Sequence, residues 1–159
     1  MLVIIVFASG CTSPKNIITN TYSANGVTFN YPENWMELNS SSVQPLIGSQ
    51  GTVIAAVGED SDSGFAIAKL NLDDLKLASL SELASVVNTT QINQGFTYES
   101  QNLTTVDSVN AYEITYQYNG TYLTDVIFYK NGNGYIAFYV DTNNNQQNLQ
   151  MILNSLKIT

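Results

Sequence analysis

An Asn-Gly pair between two alternating runs of residues dictates backbone geometry narrowly. A two-residue turn with the twist of a β-ribbon needs positive φ at both central positions, which Asn and Gly tolerate best. The chain has this pair at Asn25-Gly26, at Asn119-Gly120 and, doubled, at Asn131-Gly132-Asn133-Gly134. The first predicts a hairpin of 22–24 with 27–31. The other two link three long strands at 110–118, 121–130 and 135–141. Apolar runs at 52–59 and 65–72, separated by Asp60-Ser61-Asp62-Ser63-Gly64, predict a further pair, and 96–105 reads as one more strand.

Two segments switch to helical periodicity. Leu80, Leu83, Ala84 and Val87 recur at i, i+3, i+4 and i+7, and Ser79 with Glu82 forms a capping box in front of them, predicting a helix over 81–92. Leu149, Ile152, Leu153 and Leu156 repeat the spacing, predicting a closing helix over 144–156.

A two-residue turn at Asn119-Gly120 sets Ile114 opposite Asp125 and Tyr112 opposite Ile127. The next hairpin is expected to set Ile127 opposite Phe138 and Tyr129 opposite Ile136. One face then collects Tyr112, Ile114, Tyr116, Leu123, Ile127, Tyr129, Ile136, Phe138 and Val140, the expected main core. The other carries Thr115, Gln117, Tyr122, Thr124, Val126, Phe128, Tyr135, Ala137 and Tyr139, mixed and aromatic, and is expected to lie partly under a helix. The fold class this implies is α+β, an antiparallel sheet with helices packed on both faces. Where no helix covers it, the aromatic patch Tyr122, Phe128, Tyr135 and Tyr139 would be a recognition face for a protein partner. Strand packing alone also accounts for these residues.

Composition excludes much chemistry. The 159 residues include no histidine, no arginine and a single cysteine, with 13 acidic residues against five lysines and a net charge of -8. Imidazole-dependent hydrolysis, ordinary zinc sites and bidentate phosphate clamps lack their side chains. The negative charge repels nucleic acid. No cofactor motif is present.

The one cysteine is placed informatively. Residues 1–10 are an apolar run ending Phe7-Ala8-Ser9-Gly10 directly before Cys11. They read as the remnant of a secretory signal peptide without its basic start, and are too short to span a bilayer, which takes roughly 20 residues. The stretch matches a lipobox, with Ala8 where leucine is usual. Cys11 is then the lipidated residue, 11–21 the anchor and a polar tether, and 22–159 a single domain; the plainer alternative is a buried or free thiol after an apolar strand. This places the protein outside the cell, held by its lipid at the outer face of the membrane.

The stretch Tyr22-Ser-Ala-Asn-Gly-Val-Thr-Phe-Asn-Tyr-Pro-Glu-Asn-Trp35, a hairpin ending in Tyr31-Pro32 with Trp35 close behind, resembles the start of PsbP-like domains, relatives of the extrinsic photosystem II subunit. The order of the remaining elements, with the aromatic strand Tyr135-Ile-Ala-Phe-Tyr139 and a C-terminal helix, is similar over nearly all of 22–159. The resemblance implies an α/β/α sandwich serving as a non-catalytic accessory or binding module. Tyr31, Pro32 and Trp35 carry over as structural positions. Metal ligation through histidine, which some members use, does not carry over to a chain without histidine.

Other candidate sites are weaker. Glu59, Asp60 and Asp62 are the densest negative patch, but glycine is fifth from Asp60 where a calcium loop has it sixth, and position twelve is Asn71. A solvated turn is the simpler reading. Glu113 and Asp125 are carboxylates inside long strands, yet the register puts them on opposite faces, so they do not form an acid/base pair. Asp73 and Asp74 read as a loop. Asn39, Asn88, Asn102 and Asn119 head N-x-Ser/Thr sequons, possible glycan sites at about the chance number. The resulting expectation is a non-enzymatic, surface-anchored module binding a protein partner or membrane complex. The alternative is a lipoprotein that binds a small ligand or divalent cation.

Overall fold

The computed structural model describes residues 18–59, 63–72 and 79–159. Cys11, the signal-peptide remnant, Asp60, Asp62, Asp73 and Asp74 lie outside the described residues. Strands β1 (Thr19–Ala24) and β2 (Val27–Pro32) form the first hairpin, with Asn25 at φ 54° and Gly26 at φ 75° in its turn. Then follow β3 (Met36–Glu37), the one-turn helix α1 (Ser40–Val43), two 3-10 turns at Gln44–Leu46 and Gly48–Gln50, β4 (Gly51–Glu59) and β5 (Ser63–Leu70). The helix α2 (Leu80–Asn93) leads to β6 (Thr97–Val106), β7 (Val109–Tyr118), β8 (Thr121–Lys130) and β9 (Asn133–Asp141). The helix α3 (Gln146–Ser155) and β10 (Lys157–Ile158) close the chain.

The strands build two antiparallel sheets. One has seven strands in the order β3-β4-β5-β9-β8-β7-β6, the other three in the order β1-β2-β10. Helix α2 packs on one face of the large sheet, against β6, β7 and β8. Helix α3 and the small sheet cover the other face. The expected class, α+β with helices on both faces, is what is found, with the small sheet as an extra layer.

Several boundaries move for identifiable reasons. β1 takes in Thr19, Asn20 and Thr21, residues the sequence assigns to the tether, by pairing them with Pro32, Tyr31 and Asn30. The last hairpin turns on Asn131 (φ 51°) and Gly132 (φ 75°), the first Asn-Gly of the doubled pair, so Ile127 faces Ile136 and Asp125 faces Phe138. The expected register is wrong by two residues. A slip by an even number leaves every side chain on its face, so the division between faces survives. One hairpin was not legible at all. Asp107 (φ 45°) and Ser108 (φ 66°) turn β6 into β7 without a glycine.

The ranking of the two faces also changes. Phe128, Tyr135 and Tyr139, a recognition face only where no helix covers them, are 0%, 5% and 1% exposed, as strand packing alone would have them. They are packed beneath α3 (Leu149, Ile152, Leu153) and the small sheet (Val27, Phe29, Ile158). Trp35 stacks on Tyr139 at 6.3 Å between ring centroids, and Phe29 meets Phe65 edge-on at 5.2 Å. Tyr31, Pro32 and Trp35 are buried here, the structural role expected of them. A bulge lets β4 serve both cores. Val53 and Ala55 would share a face in a regular strand, but the register shifts between them, so Val53 packs on the α2 side and Ala55 on the other. The carbonyl of Ile54, within the bulge, accepts hydrogen bonds from Tyr22 Oη (3.1 Å) and Asn25 Nδ2 (2.8 Å), fastening the first hairpin to the large sheet.

Asp107 fastens the C-terminus in a similar way. Its carboxylate binds Lys130 Nζ at 3.2 Å and Lys157 Nζ at 3.1 Å, and accepts from the Ile158 N–H at 3.0 Å. Burial raises its pKa, but the Ile158 N–H, Lys157 and Lys130 outweigh burial and hold the carboxyl below its usual value. That stabilisation is complete above the ordinary carboxylate range and disappears as the pH falls through it. Asp107→Asn is expected to cost about 1–2 kcal/mol at pH 7 in urea denaturation and to match the parent at low pH.

Candidate functional site

Seven strands about 4.8 Å apart make a sheet roughly 29 Å wide, whereas a helix with its side chains is about 10 Å across. On the α2 face the described residues supply one long helix over β6 to β8 and the single turn of α1 over β4. The middle strand, β9, is left between them. Phe138, in the centre of β9, therefore floors three adjoining grooves. One, of about 290 Å³, runs between α2 and the 3-10 turns, over Leu70 and Ile136. A second, of about 230 Å³, is walled by Gln91, Gln94, Phe96, Tyr118 and Leu123. The third, of about 170 Å³, lies against Leu38 and Val43. Phe96 is 5.4 Å from Tyr118 and 6.5 Å from Tyr116 between ring centroids, so an aromatic wall backs the second groove.

The grooves have several polar residues on their rims, and the buried one is Gln91, which lines the first two grooves and is only 8% exposed. It sits on α2 because the helix starts where the capping box places it: the Ser79 hydroxyl accepts the Glu82 N–H at 3.2 Å and donates to Glu82 Oε2 at 2.9 Å. The stripe Leu80, Leu83, Ala84, Val87 then comes round to Gln91. Its Nε2 donates to Asp125 Oδ2 at 2.8 Å. Asp125 is wholly buried in β8, opposite Phe138, and its Oδ1 has no hydrogen-bond partner among the described residues. Burial drives its pKa up and the Gln91 hydrogen bond draws it back in part, leaving it at about 7. The hydroxyl of Tyr116, on the neighbouring strand, is also buried without a partner. Burial first and then the charge of Asp125 push its pKa up.

The other sequence candidates do not assemble. Tyr122 is half-buried on the far face of the sheet, beside a polar groove with Glu99 and Glu113, apart from buried Phe128, Tyr135 and Tyr139. Glu113 and Asp125 lie on opposite faces, as the register implied, and Glu113 accepts from Gln150 Nε2 at 3.3 Å. Glu59 is exposed at the end of β4 and accepts from Asn34 Nδ2 at 2.7 Å. Among the described residues no three His, Cys, Asp or Glu side chains cluster as a metal site would require. Asn39 is exposed at the N-cap of α1, Asn102 is exposed on the edge strand β6, and Asn119 is exposed in the β7–β8 turn. Asn88 is half-buried with its Oδ1 unpartnered. Gln91 and Phe138 were missed as site residues. The readable signal was a glutamine continuing the apolar stripe of α2.

The family model described as PsbP-like protein matches residues 8–158. Among solved structures, cyanobacterial PsbP (CyanoP) from Synechocystis sp. PCC 6803 is similar with a TM-score of 0.58 and 14% identity, over 96% of this chain and 99% of that one. LpqN, involved in cell envelope biogenesis of Mycobacterium tuberculosis, is similar with a TM-score of 0.56 and 14% identity, over 91% and 92%. A comparison with curated proteins finds no significant sequence match. No helix among the described residues is long and apolar enough to cross a membrane.

Proposed function

Because this chain belongs to the PsbP-like family, we propose that it is a non-catalytic accessory module of the cell surface, tethered to the outer face of the membrane through lipidated Cys11. It binds a protein partner in the grooves over Phe138. The observation that carries this reading is the set of grooves that meet over Phe138 of β9, where no helix among the described residues lies, an apolar floor of a size that suits one or two anchoring side chains. With Phe128, Tyr135 and Tyr139 buried, the reading puts the partner site on the opposite side of the sheet. A neighbour involved in cell envelope biogenesis agrees with a surface location.

A photo-crosslinking amino acid at Gln94, exposed on the groove rim, is expected to trap one envelope protein in intact cells, while the same group at Asn102 traps none. Equal trapping from both positions, trapping only of a second copy of this chain, or no adduct would overturn the reading. The anchor has its own test. The N-terminal peptide of the mature protein is expected to begin at Cys11 and to carry the mass of a lipid, and an unmodified Cys11 in the native host would refute it.

A further inference from the structure

The groove holds one buried amide whose orientation is set from behind. Gln91 gives one N–H to Asp125 Oδ2 at 2.8 Å. An amide has one acceptor oxygen and two donor hydrogens, so with its nitrogen committed, its oxygen is left to offer the groove it lines. We infer that Gln91 is the specificity-determining group of the groove and Asp125 its positioning residue, so that a proton on Asp125 decides which hydrogen-bonding group the groove will take. This rests on the groove being the partner site.

Ionised Asp125 can only accept a hydrogen bond. It therefore admits one orientation of the Gln91 amide, nitrogen inward, and the groove presents an acceptor oxygen. Protonated Asp125 can also donate, so the amide turned over is satisfied as well, and the groove no longer enforces a donor. Among the described residues no other charged group acts on the carboxyl. From β7 the facing titratable group is Tyr116, a neutral phenol at physiological pH, and from β6 Tyr98 acts on Tyr116. β9 sets Phe138 opposite it, α2 sets Gln91, and Lys130 and Lys157 are held by Asp107. With its carboxyl at about 7, Asp125 changes state within the range that an outer cell surface meets.

The occupant that fits is an aromatic side chain with an N–H donor on a protein partner, the indole of tryptophan. Its ring meets Phe138, Phe96 and Leu123, and its N–H meets the Gln91 oxygen. Free indole and N-methylindole stand for that side chain with and without the donor, and neither titrates between pH 5 and 9.

The test is NMR on the full chain. The Asp125 side-chain carbon and the Gln91 side-chain amide are expected to titrate with one midpoint near neutrality, and Asp125→Asn to leave the Gln91 signals independent of pH. Indole is expected to shift the Phe96, Leu123 and Phe138 resonances and to bind about twofold more tightly above the midpoint than below, the factor by which a second satisfied amide orientation dilutes the one that offers the oxygen. N-methylindole should show no such change. A Gln91 amide that does not follow Asp125, or equal pH dependence of the two probes, overturns the assignment of Gln91 and Asp125. If Gln91 follows Asp125 but neither probe shifts the groove residues, the groove reading falls, and the role of Gln91 in partner choice falls with it.

Discussion

Asp125→Asn is expected to flatten the stability of this protein between pH 4 and pH 7 and to raise it above pH 7. The carboxyl releases its proton at 3.8 in the unfolded chain and at about 7 when folded. Between those values the folded state holds more protons than the unfolded state, so stability falls as the pH rises, by about 1.4 kcal/mol per pH unit. The contribution is whole below 3.8, and above about 7 both states are ionised and the loss levels off near 4 kcal/mol. The amide keeps an oxygen for Gln91 Nε2 and carries no charge into the core. It leaves an N–H where Oδ1 stands unpartnered, at a cost of about 2 kcal/mol. The expected net gain at pH 8 is therefore about 2 kcal/mol, with a difference between variant and parent that grows from pH 4 to pH 7. Subtraction removes other carboxylates such as Asp107, whose stabilisation runs the opposite way. Urea midpoints at four pH values measure it, and a difference that does not vary with pH would show that Asp125 does not titrate in the folded state.

Tyr139→Ser is expected to cost about 4 kcal/mol and to lower the melting temperature by about 10 °C. The ring is 1% exposed, stacked on Trp35, and its hydroxyl lies 2.8 Å from Asp141 Oδ2 and 2.7 Å from the Asn145 carbonyl. Removing it opens a cavity between α3 and the large sheet and unpins the start of that helix. Tyr122→Ser, on the same face of the sheet but half-buried, should cost less than about 1 kcal/mol. Thermal melts of the two variants separate a core from a recognition face. Nearly unchanged melting in both would mean that α3 and the small sheet do not pack where they are placed.

The contrast between these tyrosines shows where the sequence stops being informative. Alternation put Tyr122, Phe128, Tyr135 and Tyr139 on one face correctly, because side-chain direction in a strand is local. Whether that face meets water depends on how the helix after β9 folds back and on a hairpin at the other end of the chain, and no local pattern encodes their arrival. The doubled Asn-Gly shows the same limit on a smaller scale. Either pair can turn, and the choice of Asn131-Gly132 is made by the strands on either side of β9, which β8 and β5 both hold. The Asp107-Ser108 turn gave no signal, since two left-handed residues without glycine are stabilised from outside by Lys130, Lys157 and the Ile158 N–H.

The candidate site was legible only in fragments. Asp125 stood out as a carboxylate between Leu123 and Ile127, and Gln91 continued a helical stripe, but 34 residues separate them and nothing in the order of residues joins them. By itself the sequence determined every hairpin but the one at Asp107-Ser108, both main helices, the division of side chains between sheet faces, the family and the chemistries ruled out by missing side chains. All of these follow from short-range geometry or composition. The tertiary structure alone decided which face is the deeper core, that no helix among the described residues lies over β9, and that Gln91 meets a buried carboxyl. Those outcomes depend on how few helices must cover a sheet this wide, and only packing in three dimensions fixes where the cover falls short.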